Sequence, residues 1–227
     1  MDSNIKSIIV YGSHARKDND INSDYDICVL TQNKQDIDLD NLREIIGKCE
    51  SSELNSACYP SDVVDNMLNY GSLFLWHLKL EGKVLFGEDY FTKKIEKLNP
   101  FIHHHQEIKY HSQLFEDLLR AWKELTIINE HDLSLLFTIA RNTCMILSHK
   151  LDKPSFGRLD SFSTAKKLYP DLPLSLNDYL NLEKWKITYE RGGLHNYALP
   201  GFDEYEKIIK IIKKLLCYAY EKTKRKH

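Results

Sequence analysis

The sequence predicts an α+β protein: a small mixed β-sheet with helices over residues 1–99, then an all-α helical bundle over residues 100–227. Three observations carry this. Strand-like apolar runs, Ile8 to Tyr11 and Ile27 to Leu30, are confined to the first half. Beyond Asn99-Pro100 no strand-like segment is clear, and apolar residues recur at helical spacing, as in Ile208, Ile211, Ile212, Leu215 and Leu216. The chain of 227 residues, 42% hydrophobic and 28% charged, has the composition of a globular protein with a real core.

The first apolar run ends at Gly12-Ser13, and a polar segment rich in Asp and Asn leads to Asp24-Tyr25-Asp26 and the second run. The pattern is strand, turn or short helix, strand. Asp38 or Asp40 can cap a helix bearing Leu42, Ile45, Ile46 and Cys49. Glu53 to Tyr59 reads as a third strand, with Asp62 capping the helix of Val63, Val64, Met67 and Leu68. A further helix ends at Glu81-Gly82, Gly82 serving as its C′ residue, and KVLF is a short strand. His77, among apolar neighbours, reads as a packed core histidine. Asn99-Pro100 reads as an N-cap with proline in the first helical position. Helices are expected over Pro100 to Asn129, Asp132 to Leu151, Leu176 to Arg191 and Phe202 to Lys224, with breaks at Pro154, Gly157, Pro170 and Pro173. Together they make a four- or five-helix bundle.

Charge is unevenly placed. Residues 1–99 hold 17 acidic and 11 basic side chains, and residues 100–227 hold 16 and 20, within a net charge of −2. The bundle suits an anionic partner, or the two surfaces are simply solvated differently. No apolar run reaches the roughly 18 residues of a membrane span. The five cysteines are scattered without a C-x-x-C pair, and the first strand follows Met1 closely. Both features lead us to expect a cytoplasmic protein with reduced thiols, no structural zinc and no leader.

The chemistry lies in the spacing between Gly12 and Asp26. Side chains alternate along a strand, so Asp24 and Asp26 share a face. Adjacent carboxylates repel unless a cation sits between them, and Mg²⁺ or Mn²⁺ held by carboxylates and substrate phosphates suits that need. Gly12 admits close approach of the backbone to a ligand, Ser13 offers a hydroxyl and an N–H, and Arg16 complements phosphate charge. The alternative is a surface turn with solvated aspartates.

With Gly12, Ser13, Arg16, Ser23, Asp24 and Asp26, six positions within fifteen residues, the chain resembles the DNA polymerase β-like nucleotidyltransferase superfamily, of the minimal or kanamycin type. The resemblance implies a metal-dependent transfer of a nucleoside monophosphate, AMP by expectation, from a nucleoside triphosphate to an acceptor hydroxyl. It makes Asp24 and Asp26 the metal-binding catalytic pair, and Gly12, Ser13, Arg16 and Ser23 the nucleotide-binding set. Lys17 departs from it, since many relatives carry a second glycine there. The third strand of the family usually supplies a third carboxylate, and here that place falls near Asn55; Glu53, two residues earlier, is the substitute. In kanamycin-type relatives a glutamate of the helical domain is the general base, which makes Glu190 a candidate. The acceptor is expected to be a small molecule held between the two halves. The alternatives are an antitoxin-like transferase modifying a protein or tRNA, and a degenerate nucleotide-binding module without turnover. A homodimer is compatible with the sequence.

Two bundle features carry less. Consecutive residues diverge on a helix, so His103, His104 and His105 cannot share a face as a metal site. Arg141 with His149, and Arg191 with His195, are similar to the Arg–His pair of HEPN ribonucleases, but one spacing is too long and the other too short.

Overall fold

The computed structural model describes residues 4–19, 24–34, 42, 54–190 and 198–224. The chain divides into two compact units, Met1–Ile102 and His103–His227. The first holds strands β1 (Ile5–Val10), β2 (Tyr25–Thr31), β3 (Leu54–Pro60) and β4 (Lys83–Phe86), with helices α1 (Gly12–Arg16), α2 (Ser61–Tyr70), α3 (Leu73–Glu81) and α4 (Glu88–Ile95). The second is helical: α5 (His104–Leu125), α6 (Glu130–Lys150), α7 (Arg158–Leu168), α8 (Leu176–Glu190) and α9 (Phe202–Lys224). The α+β class is as the sequence predicts.

The sheet is mixed, in the order β3-β2-β1-β4. β1 is antiparallel to both β2 and β4, and β2 is parallel to β3. The two central strands are covered on both faces, which is why they read as continuous apolar runs rather than alternating ones. Ile9, Cys28 and Leu30 pack under Val64 and Leu68 of α2, Leu75 and Leu78 of α3, and Phe91 and Ile95 of α4. Ile8, Val10, Ile27 and Val29 form a second cluster with Ala15 and Leu42. Each fully buried aliphatic side chain contributes roughly 1.5–3 kcal/mol, so the ends of β1 and β2 are held firmly where the two strands leave the core.

Several local expectations are corrected. Gly82 is not a left-handed C′ residue; its backbone is extended, at φ −67° and ψ 143°. Glycine is needed there because a Cβ would run into the Leu78 carbonyl and lie 2.9 Å from Ile9 Cγ2. Asp62 does not cap α2. Pro60 occupies that place, and Asp62 lies in the first turn, where its charge favours the helix dipole. Asn99-Pro100 does not start a helix. Asn99 is spent on α2, its N–H donating to the Leu68 carbonyl at 3.1 Å and its Nδ2 to the Asn69 carbonyl at 2.9 Å, and α5 begins at His104. Of the expected helix around Leu42, only Leu42 itself is among the described residues, and it is helical and buried.

In the bundle α6 is the central helix and contacts α5, α7, α8 and α9. Its buried residues, among them Leu133, Phe137, Ala140, Cys144 and Leu147, run around most of its surface, as a helix surrounded by others requires. Asn129 caps it, its side chain accepting from the Asp132 N–H at 2.8 Å. α7 falls in the stretch where only chain breaks were expected. Phe162 of α7 stacks on Tyr179 of α8 with ring centroids 4.8 Å apart, and the Tyr179 hydroxyl donates to the Arg158 carbonyl. That tertiary contact sustains a helix of 11 residues whose own stripe is weak. Among the described residues no helix is long and apolar enough to cross a membrane.

Candidate active site

The site begins where β1 ends. The Tyr11 N–H donates to the Asp26 carbonyl at 3.0 Å, one step past the last β1–β2 pair, Val10 with Ile27. Gly12 then turns the chain at φ +71° into the five-residue α1. A Cβ on Gly12 would stand 2.6 Å from Asp26 Oδ2. Glycine is thus required twice, for the left-handed backbone and for the carboxylate that lies against it. Ser13 follows, half-buried. The structure therefore brings the Gly12-Ser13 turn onto the Asp26 carboxylate, two features that the sequence places fourteen residues apart.

Asp26 is the second residue of β2, with the parity of Cys28 and Leu30, whose face is covered by α2 to α4. Asp24 precedes the strand and is half-buried. In the parallel ladder Asn55 is the register partner of Asp26, and Asn55 Nδ2 donates to Asp26 Oδ1 at 3.0 Å. The position where the family resemblance puts a third carboxylate holds an amide donor. Ser23 and Glu53 lie outside the described residues.

Arg16 closes α1 and is bonded to two carboxylates. Its Nη1 donates to Glu81 Oε2 at 2.9 Å and its Nε to Asp18 Oδ2 at 3.1 Å. The same Glu81 oxygen lies 3.1 Å from His77 Nε2. Burial alone would raise the Glu81 carboxyl, but the bonds from His77 and Arg16 outweigh it and hold the group below its ordinary value. Burial likewise works to lower Arg16, and the bonds to Glu81 and Asp18 reverse that and raise it. His77 is buried, as a core histidine should be, and also carries this contact. Tyr11 packs edge-on against Phe74 and His77, at centroid distances of 5.4 and 5.6 Å. Its hydroxyl is shifted upward by burial first and by the nearby Asp26 second.

Sequence reasoning did not find Glu81. It is 65 residues from Arg16, and Glu81-Gly82 reads locally as a helix end. The available signal was an acidic residue at the end of a largely apolar helix.

The bundle candidates sit as follows. Glu190, the last residue of α8, is 2.9 Å from Lys186 and 4.0 Å from Arg158. His104 Nε2 meets His149 Nδ1 at 3.2 Å, while His105 Nδ1 meets the Thr223 hydroxyl at 3.2 Å, so adjacent histidines do diverge. Arg141 Nη2 donates to the Phe156 carbonyl, tying down the chain after α6. Arg191 and His195 lie outside the described residues. Among the described residues no group of three or more His, Cys, Asp or Glu side chains is arranged to hold a metal ion.

No curated protein matches the chain. A family model does: residues 1–91, which include Gly12, Ser13, Arg16, Asp24, Asp26, Asn55, His77 and Glu81, match the family described as Polymerase beta, Nucleotidyltransferase, and this part of the chain is a polymerase β-like nucleotidyltransferase domain.

Proposed function

We propose that the protein transfers a nucleoside monophosphate, AMP as the first choice, from a nucleoside triphosphate to an acceptor hydroxyl. The acceptor oxygen forms a bond to the α-phosphorus, the bond from that phosphorus to the β-phosphate oxygen breaks, and pyrophosphate leaves. The hydroxyl proton passes to a general base, for which Glu190 is the candidate, while Glu53 is the candidate third carboxylate. The observation that carries this reading is the contact of Asp26 with Gly12, in a domain of nucleotidyltransferase type. A turn with no side chain, set against a carboxylate, leaves room for a phosphate beside a cation-binding group.

The residues present fit one hard divalent ion. A carboxylate offers roughly four lone-pair positions, and the Asn55 amide occupies one on Asp26. Asp24 and Asp26 would hold Mg²⁺ or Mn²⁺ together with oxygens of the triphosphate. Bound there, the ion would neutralise charge on the triphosphate and lower the acceptor's pKa. Ser13 and Ser23 would seat phosphate oxygens, and Gly12 would admit them. We favour a small-molecule acceptor, with a protein or tRNA acceptor as the alternative, and the cytoplasm as the setting.

A second reading, a degenerate module that binds nucleotide without turnover, is favoured by Asn55. An amide opposite Asp26 brings no negative charge to a second ion. One experiment separates the readings. The protein is incubated with each labelled triphosphate and Mg²⁺ or Mn²⁺, adding small hydroxyl acceptors, tRNA and cell lysate in turn. Label on an acceptor with pyrophosphate release, lost in Asp24→Asn and Asp26→Asn, supports transfer. Metal-dependent nucleotide binding without pyrophosphate release supports the module. Triphosphate affinity that is equal with and without metal, in wild type and both variants, overturns the site.

A further inference from the structure

The Gly12-Ser13 turn lies in α1, which Ala15 anchors in the second core cluster. Two residues beside the turn, Tyr11 before it and Arg16 after it, brace it further. Both lean on one face of α3. Phe74, His77 and Glu81 stand at i, i+3 and i+7, which places them in one row along the helix. Phe74 and His77 flank the Tyr11 ring. Glu81 Oε2 takes Arg16 Nη1 at 2.9 Å and meets His77 Nε2 at 3.1 Å, so one oxygen links the two contacts.

The supporting helix is itself anchored. Leu75 and Leu78 of α3 are fully buried in the cluster that includes Ile9 and Cys28 of the sheet. The charged pair is shielded, with Arg16 and Glu81 side chains 19% and 18% exposed. A shielded pair is screened less by salt than one on an open surface, and breaking it leaves a charge uncompensated. Arg16 already donates to Glu81 and to Asp18. A guanidinium held in this way fixes the end of α1 more readily than it follows a mobile phosphate.

We propose that Glu81, braced by His77, is a positioning residue: through Arg16 it holds α1 so that the Gly12-Ser13 turn stands against Asp26 at the nucleotide seat. This rests on the nucleotidyltransferase reading above. It assigns Arg16 a role beneath the seat rather than on the phosphates.

The test is the affinity for Mg²⁺–ATP, measured well below the unfolding midpoint, in wild type, Glu81→Leu, Glu81→Gln, Arg16→Leu and the Arg16→Leu/Glu81→Leu double variant. Glu81→Leu should weaken binding about tenfold. Glu81→Gln keeps an oxygen acceptor for Arg16 and should recover part of that loss. The double variant should be no weaker than Arg16→Leu, because the two residues act as one unit. A merely structural role would lower the midpoint and leave the affinity of the folded molecules unchanged, and that result overturns the inference. So does additivity of the two losses, or a loss in Arg16→Leu far beyond that in Glu81→Leu, which would put Arg16 on the phosphates directly. Should Glu81→Leu fail to fold, the isosteric Glu81→Gln decides alone: a weakening of about threefold or more supports the inference, and none overturns it. Wild-type protein that binds no triphosphate overturns the functional reading, and this inference with it.

Discussion

Asn55 Nδ2 donates to Asp26 Oδ1 at 3.0 Å across the parallel β2–β3 ladder, in direct register. The amide does two things for Asp26. It satisfies a carboxylate oxygen at the end of a strand, and it keeps a second negative charge away from it. Asn55→Asp would remove a donor and set like charges on opposed strand positions. We expect the metal-free variant to lose about 1 kcal/mol of stability, and Mn²⁺ to restore it. Thermal unfolding in chelator and in Mn²⁺ measures both quantities. The stabilisation by Mn²⁺ should be larger in Asn55→Asp than in wild type. An equal response in the two proteins would mean that position 55 does not face the metal seat.

Gly12→Ala is the most damaging small change at the site. The new methyl would meet Asp26 Oδ2 at 2.6 Å on a backbone at φ +71°. A left-handed non-glycine residue costs of order 1–3 kcal/mol, and the contact adds to it. The steric part should be relieved by Asp26→Ala and the backbone part should not. A denaturant-unfolding cycle over Gly12→Ala, Asp26→Ala and the double variant therefore yields a coupling of the relieving sign. Independent, additive losses would place the Asp26 carboxylate elsewhere in solution.

Much of the nucleotidyltransferase domain was legible because its signals are local. The β1 and β2 runs are rich in Ile and Val, and Gly12-Ser13 with Asp24-x-Asp26 lie on adjoining elements. The two clusters that sandwich the sheet follow from simple alternation, with Ile9, Cys28 and Leu30 on one side and Ile8, Val10, Ile27 and Val29 on the other. What escaped was set by tertiary partners. Asn99 has the chemistry of an N-cap, but Leu68 and Asn69 take its hydrogen-bonding groups first. Pro154, Gly157 and Pro170 punctuate the chain so strongly that α7 between them goes unread; its Phe162 finds support only on Tyr179 of another helix. Glu81 is invisible as a partner of Arg16 because the pair spans 65 residues and neither belongs to a recognisable spacing with the other.

Lys17 follows α1 in the left-handed region, at φ 66° and ψ 30°. Its backbone N–H returns to the Ser13 carbonyl, the usual way a helix end is closed, and glycine is the residue that makes that closure without strain. The resemblance noted for the family, a glycine at this place, has its physical reason here. A side chain in this conformation costs roughly 1–2 kcal/mol, against roughly 0.5–1 kcal/mol for the greater freedom of glycine in the unfolded chain. Lys17→Gly should therefore stabilise the protein by about 0.5–1 kcal/mol, read as a higher denaturant midpoint with unchanged slope. If the lysine side chain also served the triphosphate, the same variant would lose nucleotide affinity, so one pair of measurements separates a tolerated strain from a retained function.

The last prediction concerns acid. His104 at the start of α5 faces His149 near the end of α6, nitrogen to nitrogen at 3.2 Å. Burial, with His149 and Lys150 next, brings His104 down from 6.5 to about 4; Asp152 works against this, and His103 adds to it. His149 is lowered by burial, with Asp152 opposing. His111 is lowered by burial, with Glu107 opposing. All three bind a proton less readily when folded than when unfolded. Below their unfolded value the unfolded chain therefore takes up more protons, and stability falls as pH falls. For His104 the contribution is complete above pH 6.5, is lost progressively down to about pH 4, and changes no further below that. Glu183 opposes the trend, since burial raises it even with Arg158 nearby. Unfolding free energy measured by urea between about pH 7 and pH 5 should thus decline as pH drops. His104→Gln, which cannot take up a proton, should flatten the slope, and so should His149→Gln, which removes both its own shifted group and one of the causes that lower His104. A slope unchanged in both variants would mean that the pair takes up protons as readily when folded as when unfolded, and that the acid response belongs to other groups.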